Sequence, residues 1–409
     1  MTEKILERFI RYAKITTTSD MHKDVCPSTE CQWELLNLLK SELESFGVKD
    51  IVLNEYGYLI ARLEANTDND LPVIGFMAHV DTSSDVSGTD VKPQIHRNYN
   101  GEVIQLKDGV VIDPSSDECL AKYVGGTIIT SDGTTLLGAD DKAGVAEIMS
   151  AVEYLINNPD IPHGEIEIIF TPDEETGKGM DRFPLEILKS VFCYTMDGGE
   201  EGEIETECFN AYQVKVKFEG KVIHLGSARG KLVNAVTMAS AFVNMIPQNE
   251  SPEATDGRFG YYCPLEMKAE LGAAELIILL RDFELPEINR RIESLKKLGL
   301  AVEALFEGGK VSIEEGKQYL NMREHMDKVP EGIDYLVKAS KAAGVEPVSE
   351  IIRGGTDGSR LSEMGIPTPN VFTGGHNFHS KNEWAVLGTM EKSCKTIINI
   401  VKLWAGAEL

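Results

Sequence analysis

Basic residues are scarce beside acidic ones in this sequence: 40 Lys and Arg stand against 66 Asp and Glu, a formal net charge of −26. That balance opposes binding to nucleic acid or to an anionic membrane surface and favours cations and cationic groups. Long apolar runs are also missing. The longest, such as "ELIILL" before Arg281, fall far short of the roughly 20 residues needed to span a bilayer. The opening "MTEKILERFIRYAKITTTSD" mixes charges with Ile5, Leu6, Phe9, Ile10 and Ala13 at helical spacing. It therefore reads as a first helix rather than as the apolar block of a signal peptide. Cysteine is sparse and unpatterned. The seven residues form an odd, dispersed set without paired metal-binding spacing, which excludes a disulfide scaffold and a zinc ribbon and predicts a reduced, cytoplasmic protein. Internal repeats and low-complexity segments are absent.

What is present is an ordinary globular composition, with 42% hydrophobic and 26% charged residues. At 409 residues the chain is long enough for two or three domains. Strand-like segments at "LPVIGFMAHVD", "GEIEIIFTPDEE" and "VFCYTMDGG" alternate with helical ones such as "DKAGVAEIMSAVEYLINN", the pattern of a largely parallel α/β sheet covered by helices. "STECQWELLNLLKSELESFG" carries Ser/Thr and Gly end signals of a helix, and Asp132-Gly133 predicts a hairpin turn within "TIITSDGTTLLG". Past Cys208 the pattern becomes β-α-β-β-α-β, with "AVEALFEG" and "KVSIEEGKQYL" both extended, consistent with a small open sheet backed by two helices. The predicted organisation is a discontinuous main domain, 1–208 and 321–409, interrupted by an inserted ferredoxin-like domain over 209–320.

The strand before His79 ends abruptly in "HVD". Alternate strand residues share a face, so His79 and Asp81 point into one space if the extended geometry persists. Glu174 and Glu175 follow another strand and Asp197 a third. Asp140 and Asp141 precede a helix, and His379 follows a late strand. Each alone reads better as a solvated polar residue where a strand surfaces. Strand carboxyl ends converge on one crevice in open α/β sheets, however, and imidazole with carboxylate oxygen suits zinc and related divalent ions. Two such ions would neutralise Asp140, Asp197, Glu175 and a hydroxide with both histidines uncharged, whereas one would leave a net −2 in a dry crevice. Asp141 reads as an acid at a helix N-terminus, favoured by the helix dipole.

The segments "HVDTSSD", "LLGADDKAGVAE", "FTPDEETGKG", "YTMDGG", "IHLGSARGKLVNA", "LLRDF", "IIRGGTDG" and "NFHSKNEW", in this order, resemble the peptidase T family, tripeptide aminopeptidases in a clan of two-zinc peptidases and deacylases. The resemblance runs from the first helix to the last. It implies that His79, Asp140 and Asp197 hold one zinc ion, and that Asp140, as a bridge, Glu175 and His379 hold the other. Asp81 corresponds to the carboxylate that accepts the imidazole proton of His79, and Glu174 to the general base that activates a water between the ions. His224 resembles an oxyanion-stabilising histidine. Arg281 and Arg353 resemble residues that grip the far end of a short peptide, a role suited to guanidinium on carboxylate, and they read equally as surface salt-bridge partners in so acidic a chain. Family members often have proline where this chain has Leu225, which bears on the reach of His224. The implied partner is a short peptide, with the inserted domain offering a surface for a homodimer. Related dipeptidases, carboxypeptidases and N-acyl amino acid deacylases would use the same metals. A metal-binding scaffold without catalysis would have no need of Glu174.

Overall fold

Every residue of the strands Ile74–His79 and Ile166–Thr171 is buried, as their unbroken apolar runs require of strands covered on both faces. They lie at the centre of an eight-stranded sheet in the order Asp50–Leu53, Leu59–Leu63, Ile166–Thr171, Ile74–His79, Phe192–Gly198, Asn370–Phe372, Glu203–Cys208 and Val348–Ile352. The four strands from Ile166–Thr171 to Asn370–Phe372 run parallel, and Leu59–Leu63 and Glu203–Cys208 flank them antiparallel. The computed structural model describes all 409 residues. They divide into two compact units, one of Met1–Thr206, Met322–Glu350 and Thr356–Leu409, the other of Glu207–Asn321 and Ile351–Gly355.

In the first unit the helix Ala139–Asn157 packs on Ile74–His79 and Phe192–Gly198, and against the helices Thr2–Ala13 and Leu387–Trp404. Gly144 permits this close approach, since a Cβ there would overlap the Met196 carbonyl. The apolar stripe expected of the first helix is buried at Ile5, Leu6, Phe9 and Ala13. A smaller sheet joins Gly375–His376, Trp384–Val386, Ile128–Thr130 and Gln94–His96, so that His379 is carried on the loop between its first two strands.

The second unit holds an antiparallel sheet in the order Tyr261–Ala269, Ala273–Asp282, Asn210–Glu219, Lys310–Tyr319. The helices Ala235–Met245 and Leu285–Leu305 supply its core with Met238, Phe242, Ile288 and Leu295 against Val214, Val216, Ile278 and Leu280. The chain order β-α-β-β-α-β on this sheet is the ferredoxin-like arrangement.

Four local expectations are corrected. "AVEALFEG" is not extended at its start, because the helix continues to Leu305 and buries Val302. Asp132-Gly133 closes a turn but no hairpin. The strand Ile128–Thr130 pairs instead with Gln94–His96 and Trp384–Val386, while Asp132 bonds locally to Thr134. The helix Gln32–Phe46 has no side-chain N-cap, and Ser28 donates to Asp173 instead. Residues 351–355, expected in the main domain, group with the second unit. The Phe209 N–H donates to the Ile352 carbonyl, and Arg353 donates to the carbonyls of Thr255, Gly257 and Phe259.

Candidate metal centre

The parallel strands end together. His79 is the last residue of its strand and lies in register with Thr171, the last of the neighbouring one. Pro172 follows, and Asp173 then adopts a left-handed φ of 60°, a conformation that a non-glycine residue holds only when its surroundings enforce it. The enforcement is visible. The Asp173 carboxylate accepts the Ser28 N–H (2.7 Å), the Ser28 hydroxyl (2.5 Å) and the Gln32 amide (2.7 Å). The turn presents Glu174 and Glu175 beside His79, and Asp197 arrives from the next parallel strand, Phe192–Gly198.

Asp140 sits between the two histidines. Its Oδ1 is 2.9 Å from His79 Nε2 and its Oδ2 is 3.2 Å from His379 Nε2. His79 Nε2 also lies 3.6 Å from Asp197 Oδ1, and His379 Nε2 lies 2.9 Å from Glu175 Oε2. Asp140 therefore faces one histidine through each oxygen, with Asp197 beside His79 and Glu175 beside His379. Potential ligand atoms of His79, Asp140 and Glu175 lie within 4.8 Å of one another, as do those of His79, Asp141 and Asp197. Imidazole nitrogen and carboxylate oxygen in this arrangement fit divalent metal ions.

The electrostatics favour cations. Burial alone would lower the pKa of His79, but bonds to Asp140, Asp197 and Asp81 outweigh it and hold the imidazole well above its ordinary value. Asp140 and Glu175 push His379 up to about 11. Burial and then Asp140 push Glu175 up to about 7. Burial foremost, with Asp197, Asp357 and Glu175 adding repulsion, raises Glu174 well above its usual range. Crowded carboxylates thus retain protons or gather positive charge.

The partners of His79 are richer than the sequence indicates. Its Nδ1 faces both the Asp81 carboxylate (3.3 Å) and the Asp81 backbone carbonyl (3.1 Å). The buried Asp81 carboxylate also accepts the backbone N–H groups of Glu174 (3.0 Å) and Glu175 (3.2 Å), so it braces the acidic turn as well as the imidazole. Glu175 is engaged at both oxygens, accepting the Ser83 N–H at 3.1 Å through Oε1. Asp141 lies at the start of its helix with non-helical φ/ψ, and its Oδ1 accepts the Gly144 N–H at 3.3 Å, which caps the regular turns that follow. Its Oδ2 in addition accepts the His79 backbone N–H at 3.2 Å.

Two residues of the quoted motifs gain positions that sequence reasoning missed. Asp85 lies 3.3 Å from His379 Nδ1, the counterpart of Asp81 at His79. Glu383 is buried and accepts four consecutive backbone N–H groups, from Leu137 to Asp140. A histidine's second ring nitrogen needs a partner, which is a signal for Asp85. Nothing local marks Glu383.

His224, Arg281 and Arg353 belong to the second unit. His224 is exposed and accepts the Gly226 N–H through Nδ1 at 3.2 Å. Arg281 donates to the carbonyls of Leu280 (3.0 Å) and Tyr212 (3.3 Å), its guanidinium 5.7 Å from the Tyr319 ring centre. Arg353 is more fully committed. Both terminal nitrogens donate within the unit, to Gly257, Phe259 and Thr255, and the guanidinium lies 5.1 Å from the Phe209 ring centre.

The chain matches the family model "Peptidase family M20/M25/M40" over residues 133–403. It is 46% identical over 403 residues to peptidase T of Clostridium perfringens strain SM101, covering 98% of this chain and 99% of that one. It is 47% identical over 404 residues to peptidase T of Lysinibacillus sphaericus, covering 99% of each. Its fold is similar to the crystal structure of aminopeptidase PepT from Bacillus cereus, with a TM-score of 0.76 over 99% of both chains at 22% identity. With a family match that takes in Asp140, Glu174, Glu175, Asp197 and His379, and relatives aligned end to end, the chain belongs to peptidase family M20/M25/M40.

Proposed function

We propose that the protein is a two-zinc aminopeptidase that releases the first residue of tripeptides. The observation that carries this reading is the placement of Asp140 between His79 and His379, one oxygen toward each, with the Glu174 backbone held by Asp81. His79, Asp140 and Asp197 would hold one ion, and Asp140, Glu175 and His379 the other. Paired divalent ions supply a Lewis acid for the scissile carbonyl and lower the pKa of water.

The chain's own groups do the rest. Glu174 takes the proton of the attacking water and returns it to the leaving amine. Asp81 fixes the tautomer of His79 through Nδ1, and Asp85 does the same for His379. The acidic surroundings favour a free ammonium terminus over a blocked one. His224 is the proposed oxyanion donor. Arg281 is the better candidate for the peptide's terminal carboxylate, because the donors of Arg353 are taken by backbone carbonyls. The seven cysteines, all unpaired, support a reduced compartment such as the cytoplasm.

The tripeptide reading draws on the peptidase T relatives and is tested by product analysis. A free tripeptide should yield its first residue and a dipeptide, faster than di- or tetrapeptides and faster than its N-acetylated form. Equal cleavage of the acetylated peptide would favour a deacylase with the same metals.

A further inference from the structure

Glu383 aims its carboxylate at backbone alone. It is 1% exposed and immediately precedes the strand Trp384–Val386. Its Oε2 accepts the N–H groups of Leu137 (2.6 Å) and Gly138 (2.8 Å), and its Oε1 those of Ala139 (2.7 Å) and Asp140 (3.2 Å). Four consecutive N–H groups converge on one carboxylate because Gly138 takes a left-handed φ of 80°, which glycine adopts without steric cost. They lie at the non-helical entry to the segment Ala139–Asn157, where Asp140 and Asp141 depart from helical φ/ψ. A buried carboxylate is expensive unless its lone pairs are filled, and here backbone donors fill them.

The placement matters because each end of this contact lies next to a residue of the metal centre. The accepting side chain closes the loop that carries His379, and the last donor is the backbone of Asp140, the carboxylate both histidines face. We propose that Glu383 is a positioning residue: it presets the backbone of Asp140 for two ions and locks that segment to the loop bearing His379. The proposal rests on the two-ion reading above. A brace of the fold alone would lower stability without touching the metals.

The test compares wild type with Glu383→Gln, which keeps the volume but turns an amide NH2 toward two backbone donors. Both proteins are stripped with a chelator and titrated with Co2+, read by visible absorption, and with Zn2+ in competition with a chromophoric chelator. The folded variant should bind at least one of the two ions about 10- to 100-fold more weakly, the range seen when outer partners of metal ligands are removed, with an altered Co2+ spectrum. Wild-type affinities and spectrum in the folded variant would overturn the proposal. A second measurement needs no variant: in stripped wild type, amides 137–140 should resist hydrogen exchange before any ion is added, and free exchange there would equally overturn it. A wild type that takes up one ion or none would count against the two-ion reading itself, and shows before the variant is compared.

Discussion

The Asp81 carboxylate accepts the backbone N–H of Glu174 at 3.0 Å through the same oxygen that lies 3.3 Å from His79 Nδ1. One buried side chain therefore sets both the orientation of a metal-facing imidazole and the position of the proposed base. Asp81→Asn would remove the charge and set an amide NH2 against a donor. It should lower kcat by about 10- to 100-fold with little change in KM, as steady-state kinetics on a free tripeptide will show. A variant with wild-type kcat would reduce Asp81 to a structural residue.

Glu174 and Asp140 should separate chemistry from metal binding. Glu174→Gln leaves every proposed ligand in place and should retain both ions while kcat falls about 10²- to 10⁴-fold. Asp140→Asn weakens the proposed bridging ligand and should lose metal. Metal analysis of both variants beside their kinetics decides the point, and near-normal turnover in Glu174→Gln would remove it as the base.

The two arginines should divide in the same way. Arg281→Ala should lower kcat/KM for a free tripeptide by about one to two orders of magnitude, the equivalent of a charge-assisted pair of about 1.5–3 kcal/mol. It should also erase the preference over the C-terminally amidated peptide. Arg353→Ala should instead lower the melting temperature and leave that preference intact. Discrimination lost in Arg353→Ala alone would reverse the assignment.

Much of this centre is legible in the sequence because it follows short-range rules. The ends of the parallel strands bring His79, Glu174, Glu175 and Asp197 together, and Asp81, two residues past the end of its strand, still meets His79. Glu383 and the second role of Asp141 are not legible, since their partners are backbone N–H groups, which have no residue identity. The helical start of "AVEALFEG" was hidden for a related reason. Ala301 to Leu305 carry no stop signal, and burial of Val302 on the second unit's core settles their state. Ser28 shows a long-range bond to Asp173 overriding a local cap.

A buried carboxyl outside the centre should leave a pH signature. Glu147 is fully buried on the helix Ala139–Asn157, with Oε2 accepting the Ser393 hydroxyl at 2.5 Å and Oε1 unpartnered, and burial pushes its pKa well above the usual value. Above the unfolded-state pKa the folded protein then holds a proton that the unfolded chain has released, so this group lowers stability as pH rises. Glu147→Gln should melt close to wild type near pH 4 and progressively higher than wild type toward pH 8. A difference in melting temperature that stays constant with pH would contradict the assignment.

The most direct test of the central claim is to follow release of the first residue from a free tripeptide while Zn2+ is returned to chelator-stripped protein. Two ions bound through a shared Asp140 predict activity that is negligible in the stripped protein and reaches its maximum at two equivalents per chain. Full activity at one equivalent, or activity that survives stripping, would contradict it.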